Sequence, residues 1–330
     1  MWFTLVVLFV LSCAVFIAYE CLGRKPADLS NDLILITGAA NGIGRLLAIL
    51  LSEHCGNIIA LDKDVVGLKE TALRVFERHN VSLICYECDL SDRNAVKKCA
   101  EDIRRDHGRV TILISDAAIV NGNFLLDIPS VKFEKLNQVN FLASFYLLKE
   151  FLPGMLGSAY GTAMERIPQQ LRVIPAKNNA KRCFDQPPRG HLVFLSSLAS
   201  QTICPGLADY CASKAAISTL AETLRLEMEV LGMSKNIAVT EIRPFAIDTT
   251  LLEGFETKLP ILPLLESEKV AKRIVKAIRH RERTVYIPWI IWFIPLVHRL
   301  FPFPVAVILH KISGSFDGMK SFKWANKKHD

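Results

Sequence analysis

The sequence lacks the patterns that point to nucleic acid, to a metal or to a disulfide scaffold. Basic residues are not interleaved with aromatic ones, and no finger, recognition-helix or RNA-binding signature is present, so we expect no nucleic-acid partner. Nine cysteines are scattered without a regular framework. Cys85 and Cys88 have no second pair to complete a zinc site, and their strand-like run points the two thiols to opposite faces. We therefore predict structural thiols and no metal.

Charge is absent from the run Trp2 to Tyr19, which is about long enough to cross a bilayer. It has no basic start and no clear cleavage site, so residues 1–22 are predicted to be a retained membrane anchor. Arg24 and Lys25 follow it, which places the rest of the chain in the cytosol. A hairpin insertion that does not reach the lumen is the alternative. The net charge of +7 is mild, and a membrane surface is the expected acidic partner.

A glycine-rich turn follows the first strand-like run. Leu33 to Thr37 is a short apolar run typical of a strand covered on both faces, and Arg45 to His54 has a helical pattern. Glycines between them let the backbone approach a pyrophosphate, whose charge the N-terminal amides of the helix favour. The candidate cofactor residues in this turn are Thr37, Gly38, Asn41, Gly42, Ile43 and Gly44.

An acidic residue ends the second predicted strand. Asn57 to Leu61 is strand-like, and Asp62 follows it, eighteen residues after Gly44. A carboxylate here accepts hydrogen bonds from the adenosine ribose and repels a 2′-phosphate, which predicts NAD rather than NADP. The neighbouring Lys63 weakens that inference. The alternative is an acid that closes the strand or caps the next helix.

Strands and helices alternate through the first half of the chain. A strand at Val81 to Glu87 ends at Asp89 and Leu90, where an adenine ring is expected, and a strand at Thr111 to Ser115 leads into Asp116 and Ala117. Helical patterns cover 65–79 and 92–106. This alternation predicts an α/β fold, a Rossmann-like doubly wound parallel sheet in a single domain over residues 30–287.

A second candidate site lies between Ser196 and Lys214. Tyr210 and Lys214 are four residues apart and share one face of a helix. A phenol is a weak base at neutral pH, and a neighbouring ammonium lowers its pKa. Ser197 follows the strand-like run Leu192 to Leu195 and is placed to bond the same substrate oxygen. The alternative is an ordinary pair on an exposed helix face.

These residues resemble the short-chain dehydrogenase/reductase superfamily. The turn Thr37-Gly38-x3-Gly42-x-Gly44, then Asn140, Ser197 and Tyr210-x3-Lys214 have the order and spacing of that family, and the resemblance covers about 33–287. It implies that Tyr210 is the catalytic acid or base and that Ser197 orients the substrate. It also implies that Lys214 lowers the tyrosine pKa and holds the nicotinamide ribose, and that Asn140 positions Lys214 through water.

The same resemblance assigns further positions. Pro244 and Thr249 are expected to meet the carboxamide and phosphates of the cofactor. The long helix from Leu207 to Leu231 is expected to form a homodimer face. Where the family has Asn-Asn-Ala-Gly, this chain has Ser115-Asp116-Ala117-Ala118, so we expect the support of the central sheet and the nicotinamide side to differ.

Within the superfamily the chain is similar to the membrane-bound retinol, retinal and 17β-hydroxysteroid dehydrogenases. The segments that carry this likeness include 61–63, 67–71, 205–211 and 310–315. It implies NAD-dependent oxidation of a lipophilic alcohol such as a retinoid or hydroxysteroid, at the cytosolic face of the endoplasmic reticulum or on lipid droplets. The alternatives are an NADPH-dependent retinal or carbonyl reductase, and a weakly catalytic membrane scaffold.

Two further segments stand outside the motif pattern. Residues 157–190 are rich in basic residues and proline and are predicted to be a mobile surface insertion, with contact to a membrane or partner as the alternative. The run 267–283 is amphipathic, and we favour a structural helix over a membrane-surface helix. In residues 288–330 the prolines argue against a straight membrane span, so an interfacial segment or substrate lid followed by a basic tail is expected.

Overall fold

The computed structural model describes residues 25–161, 185–255 and 263–300, with a few isolated positions outside these ranges. Nearly all of the predicted anchor at 1–22, most of the insertion at 157–190 and most of the tail after residue 300 lie outside the described residues. Within the described part, no helix is both long and apolar enough to cross a membrane.

In the described ranges, a parallel seven-stranded sheet runs in the order β3-β2-β1-β4-β5-β6-β7. The strands are β1 (Ile34–Thr37), β2 (Ile58–Asp62), β3 (Ile84–Glu87), β4 (Ile112–Ser115), β5 (Gly190–Leu195), β6 (Ile237–Pro244) and β7 (Thr284–Ile287). The strand order reverses between β1 and β4, the point at which ligands bind in doubly wound sheets. This topology confirms the predicted single-domain Rossmann-like fold.

Helices cover both faces of this sheet. They are α1 (Gly42–Leu51), α2 (Val65–His79), α3 (Arg93–Asp106), α4 (Ser130–Asn137), α5 (Ala143–Leu156), α6 (Ala208–Val230), α7 (Ser267–His280) and α8 (Ile294–Leu300). Alternate residues of β1 point to opposite faces, where Ile34 and Ile36 pack with α1 and α7, and Leu35 packs with α3, α5 and α6. Burial on both faces explains the continuous apolar run of β1.

The region 267–287 differs from the sequence prediction. Helix α7 ends at His280, and Arg281 adopts the left-handed conformation with φ 50°. Thr284–Ile287 then pairs with β6 as the last strand of the sheet, an element that the sequence pattern did not reveal. The apolar face of α7 is buried with α1 in the core, so the structural interpretation of this amphipathic helix is confirmed over the membrane-surface one.

Candidate active site

The carboxyl ends of the strands place the predicted residues along one edge of the sheet. In register, Thr37 of β1 pairs with Leu61 of β2, and Ser115 of β4 pairs with Phe194 of β5. The glycine turn, Asp116 and Ser197 follow β1, β4 and β5, and Asp62 is the last residue of β2. Because parallel strands end together, positions far apart in the chain meet at this edge.

Tyr210, Lys214 and Ser197 come together where β5 meets α6. Tyr210 and Lys214 lie in the first two turns of α6 and are only 8% and 3% exposed. The Ser197 side chain is hydrogen bonded to the Tyr210 phenol, and its Oγ accepts the Ala199 N–H at 3.1 Å. The pair Tyr210 and Lys214 is therefore part of a buried cluster and not an exposed helix-face couple.

The surroundings of the Tyr210 phenol shift its pKa. Burial raises the pKa of Tyr210 above its usual value, and the hydrogen bond from Ser197 opposes this increase without reversing it. Lys214 Nζ donates to the Leu195 carbonyl at 2.8 Å and lies 5.6 Å from the centroid of the Tyr210 ring. Loss of hydration is the largest influence on this pKa, and the lowering of it by Lys214 stays a prediction. At neutral pH the phenol is protonated and can donate a proton.

Asn140 lies in a π-helical turn, Gln138–Leu142, that joins α4 to α5. Its side chain accepts the Ile119 N–H at 2.8 Å, and its Nδ2 donates to the Ile119 carbonyl at 2.9 Å and to Ser213 Oγ at 3.1 Å. These contacts hold the chain that follows β4 against α6. The contact on α6 is made by Ser213, the residue before Lys214. The proposed water link from Asn140 to Lys214 stays a prediction, since its direct contacts are with Ile119 and Ser213.

The glycine turn has no room for side chains at two positions. A Cβ on Gly44 would lie 2.2 Å from the Gly38 carbonyl oxygen, and a Cβ on Gly38, with φ +71°, would lie 2.9 Å from Ala117 Cα. Gly42 has φ +54° and open space beside it, while Asn41 caps α1 by accepting the Gly42 N–H at 2.8 Å. An open turn at a helix N-terminus fits a dinucleotide pyrophosphate.

The end of β4 is attached to both neighbouring layers. Thr37 Oγ1 accepts the N–H groups of Asp116 at 3.1 Å and Ala117 at 3.2 Å. Ser115 Oγ and Ser144 Oγ are 2.6 Å apart, which ties the strand to α5. The departure from Asn-Asn-Ala-Gly therefore retains hydrogen-bonded support for the central sheet.

Asp62 lies beside the glycine turn. Its Oδ2 accepts the Ala40 N–H and its Oδ1 accepts the Asp64 N–H, both at 3.1 Å. Asp64, and not Asp62, caps α2 by accepting the Gly67 N–H at 2.9 Å. Asp62 is thus partly exposed at the end of β2 without capping a helix, which fits a role in holding ribose hydroxyls.

The remaining predicted cofactor residues lie in two places, beyond β3 and at the end of β6. Leu90 is buried in the core, and Asp89 forms an ion pair with Lys135 at 3.0 Å. Although burial opposes it, hydrogen bonds from Ser91 and Lys135 lower the pKa of Asp89 to about 2. Pro244 ends β6, and Thr249 directly precedes the 3-10 helix Thr250–Leu252. Asn41 Nδ2 donates to Thr250 Oγ1 of this helix at 3.3 Å.

A buried pair at the start of α6 was missed from the sequence. The Asp209 carboxylate is fully buried, and it accepts from Asn121 Nδ2 at 2.6 Å and from the Tyr210 N–H at 2.8 Å. The contact between Asn121 and Asp209 links the chain that follows β4 to the residue before Tyr210. The acid beside Tyr210 was a possible signal, but no sequence pattern pairs it with Asn121.

The carboxyl-terminal segment also reaches this site. A 3-10 helix, Trp289–Phe293, precedes α8 and buries Ile291 against Leu198, the neighbour of Ser197. In the described part of this segment the helices are short, and the prediction that its prolines exclude a straight span stays a prediction.

Comparison with known proteins decides the family. A sequence profile described as short chain dehydrogenase matches residues 32–164 and 173–259. The chain belongs to this family. Human epidermal retinol dehydrogenase 2 is 31% identical over 311 residues, covering 94% of this chain and 91% of the relative. Bovine short-chain dehydrogenase/reductase family 16C member 6 is 33% identical and covers 82% and 76%, and human estradiol 17-beta-dehydrogenase 11 is 28% identical and covers 91% and 89%.

Solved structures show the same fold for this short-chain dehydrogenase. A short chain dehydrogenase/reductase from Burkholderia phymatum in complex with NAD has a TM-score of 0.66 at 19% identity and covers 83% of this chain and 94% of its own. A short-chain dehydrogenase from Sphingobium yanoikuyae in complex with NADPH has a TM-score of 0.62 at 21% identity and covers 81% and 93%. Family and relatives identify an alcohol oxidoreductase of the retinol and hydroxysteroid dehydrogenase branch.

Proposed function

We propose that this short-chain dehydrogenase oxidises a lipophilic alcohol, a retinoid or a hydroxysteroid, with NAD. The observation that carries the substrate class is the apolar cluster in which Tyr210 sits. Val120, Leu136 and Leu207 are buried with it, and Leu251 and Phe255 pack against them. Such walls favour a substrate whose reacting oxygen is attached to a large apolar body.

In this proposal each polar side chain of the site has a separate role in alcohol oxidation. Tyr210, in its phenolate form, takes the hydroxyl proton of the alcohol, and Ser197 orients that hydroxyl through its hydrogen-bonding position beside the phenol oxygen. A bound nicotinamide dinucleotide would supply the acceptor for the hydride that leaves the carbinol carbon. Lys214 holds the ribose beside Tyr210. Asn140 fixes the backbone of Ile119, which packs against the apolar cluster around Tyr210.

The cofactor assignment rests on Asp62, and the experiment that tests it also tests the reaction. Purified full-length protein is assayed with retinol, a hydroxysteroid and their carbonyl counterparts, each with NAD(H) and NADP(H). We expect oxidation with NAD to have the highest kcat/KM. Asp62→Asn should reduce the preference for NAD over NADP by about ten-fold or more, because one charge that repels the 2′-phosphate is removed.

Asp64→Asn is the matched control, since it removes a carboxylate two residues away while keeping a residue type that caps helices. The control should leave the cofactor preference within about two-fold of the wild type. Tighter binding of NADPH than of NADH by the wild-type protein contradicts the assignment of NAD.

The second candidate is an NADPH-dependent carbonyl reductase. One observation favours it: burial raises the pKa of Tyr210, so the phenol is protonated at neutral pH and can donate a proton to a carbonyl oxygen. Faster conversion of the carbonyl compound with NADPH, in the same assay, selects this candidate over alcohol oxidation.

We also propose that the segment after β7 contacts the membrane that supplies the substrate, on the cytosolic side of the endoplasmic reticulum or on lipid droplets. Trp289 and Trp292 are 73% and 52% exposed, while Ile291 between them is buried against Leu198. Exposed tryptophans are typical of membrane interfaces. The segment thus presents one face to lipid and the other to the site.

This contact predicts fluorescence quenching by brominated lipids. The chain has four tryptophans, so a Trp2→Phe/Trp324→Phe variant reports only on Trp289 and Trp292. We expect brominated phosphatidylcholine vesicles to quench most of its emission, because bromine quenches only at short range. A reporter placed by Val66→Trp on exposed α2, with Trp289 and Trp292 also changed to Phe, should not be quenched. Equal emission with brominated and ordinary vesicles argues against the contact.

The homodimer stays a prediction. Helix α6 exposes Leu226 and Val230, and α5 exposes Phe145. These apolar side chains support a contact between copies of the chain through the two helices.

A further inference from the structure

Asp116 places a carboxylate at the turn where the cofactor phosphates are expected. Its Oδ2 lies 2.8 Å from the position that a Cβ on Gly44 would take, and the Gly44 N–H is directed at this carboxylate. Gly44 is the third residue of α1, so this amide belongs to the helix N-terminus. The Asp116 backbone is itself held by Thr37 Oγ1 at 3.1 Å. The Asp116 carboxylate therefore accepts from a backbone N–H at a helix N-terminus, the kind of group that also binds phosphate.

Three titratable groups interact with Asp116 from the surrounding elements. Lys214 of α6 carries the opposite charge, Asp62 at the end of β2 carries the same charge, and the Tyr210 phenol of α6 is also within its field. Burial raises the pKa of Asp116 to about 7, Lys214 and the Gly44 N–H oppose this shift, and Asp62 adds to it. Burial lowers the pKa of Lys214 to about 8, and Asp116 opposes that shift.

An anionic dinucleotide that binds beside this carboxylate brings like charges together. Asp116 is half-buried, and the interaction of two charges a few ångströms apart is stronger at such a position than in bulk water. Protonation of the carboxyl group removes the repulsion and converts an acceptor into a hydrogen-bond donor.

We propose that Asp116 takes up a proton from solvent when the dinucleotide binds, so that this residue couples cofactor affinity to pH. The inference rests on the proposed function, because it requires that a nicotinamide dinucleotide binds at the glycine turn. It deepens that function by giving the unusual residue in Ser115-Asp116-Ala117-Ala118 a specific role in the cofactor site.

The sign of the pH dependence follows from the direction of the linkage. If binding raises the carboxyl pKa, affinity is highest where Asp116 is protonated in the free protein and falls as the pH rises through its free pKa. Each pKa unit gained on binding corresponds to a ten-fold loss of affinity. We expect the affinity for NADH to fall by about ten-fold between about pH 6 and about pH 8.

The direct test is infrared difference spectroscopy of the full-length protein at about pH 7.5 with and without NADH. We expect NADH to produce the carbonyl stretch of a protonated carboxylic acid, and this band should be absent in Asp116→Asn. Fluorescence titration with NADH supplies the second readout. Asp116→Asn should bind NADH more tightly than the wild type at about pH 8 and about equally at about pH 6, because the neutral amide cannot repel phosphate.

Asp102→Asn is the control, since this carboxylate of α3 pairs with Arg105 at the protein surface. It should keep both the infrared band and the wild-type pH dependence. If the wild type binds NADH with no new carboxylic acid band and with an affinity independent of pH, the inference about Asp116 is wrong. If neither NADH nor NADPH binds at any pH, the proposed function fails instead. Because both readouts exist for the wild type, the test remains decisive even if Asp116→Asn does not fold.

Discussion

Replacing Tyr210 by Phe should lower kcat for the alcohol by a factor of about 10²–10⁴, the range supplied by a positioned proton-transfer group. The variant removes only the hydroxyl group that is hydrogen bonded to Ser197. The ring remains able to pack with Val120 and Leu207, so KM should change little. Steady-state kinetics with the best substrate of the panel measures both parameters.

Tyr146→Phe is the matched control, because this partly buried tyrosine of α5 packs against Arg93 of α3. It should retain wild-type kcat. Wild-type turnover by the Tyr210→Phe variant would contradict the assignment of Tyr210 as the proton-transfer group. Cofactor binding by the wild type without conversion of any substrate in the panel would favour the scaffold alternative over the enzyme.

The pH profile gives a further check on the role of Tyr210. Burial raises its pKa, so below that pKa the fraction of phenolate grows ten-fold with each pH unit. Alcohol oxidation that needs the phenolate should therefore become faster with rising pH, whereas carbonyl reduction that needs the phenol should not. A falling rate of oxidation across the alkaline range contradicts the assignment of Tyr210 as the base.

Replacing Gly44 by Ala should lower the free energy of unfolding by about 1–3 kcal/mol or more and abolish NADH binding. The new Cβ would lie 2.2 Å from the Gly38 carbonyl oxygen and 2.8 Å from Asp116 Oδ2, so the backbone of the turn has to move. A displaced turn no longer presents its amides to the cofactor. Chemical denaturation and NADH fluorescence measure the two effects.

Gly56→Ala is the matched control, since Gly56 is exposed and a Cβ there meets nothing within 4 Å. Its stability should lie within about 0.5 kcal/mol of the wild type. Equal stability and NADH affinity for the two alanine variants would show that the glycine turn is not the cofactor site.

Local patterns were sufficient to predict most of the fold. The apolar run at β1 reflects burial on both faces, and the fifteen residues of α2 have the predicted bounds Val65 to His79. The strand β7 was missed because it follows α7 closely and its four residues are too few for their alternating burial to stand out in the sequence. Such short elements are defined by their pairing partner, here β6, which a local pattern cannot reveal.

The site was predictable where its residues form local motifs. The glycine turn, the spacing of Tyr210 and Lys214, and Asp62 after β2 each carry their signal within a few residues. The contact of Asp209 with Asn121 joins positions 88 residues apart, and the contact of Asn140 with Ile119 joins positions 21 apart. Neither partner could be named before the chain was folded.

The sequence by itself determined which chemistry this protein carries, because the motif residues and their spacing define a dinucleotide turn and a tyrosine–lysine pair. Only the tertiary structure decided the protonation states of the side chains that carry out this chemistry. Burial raises the pKa of Tyr210 and lowers that of Lys214. The fold also brings the Asp116 carboxylate against Gly44 and close enough to Lys214 for their charges to interact. The physical reason is that a pKa depends on hydration and on neighbouring charges, which are properties of the folded surroundings and not of spacing along the chain.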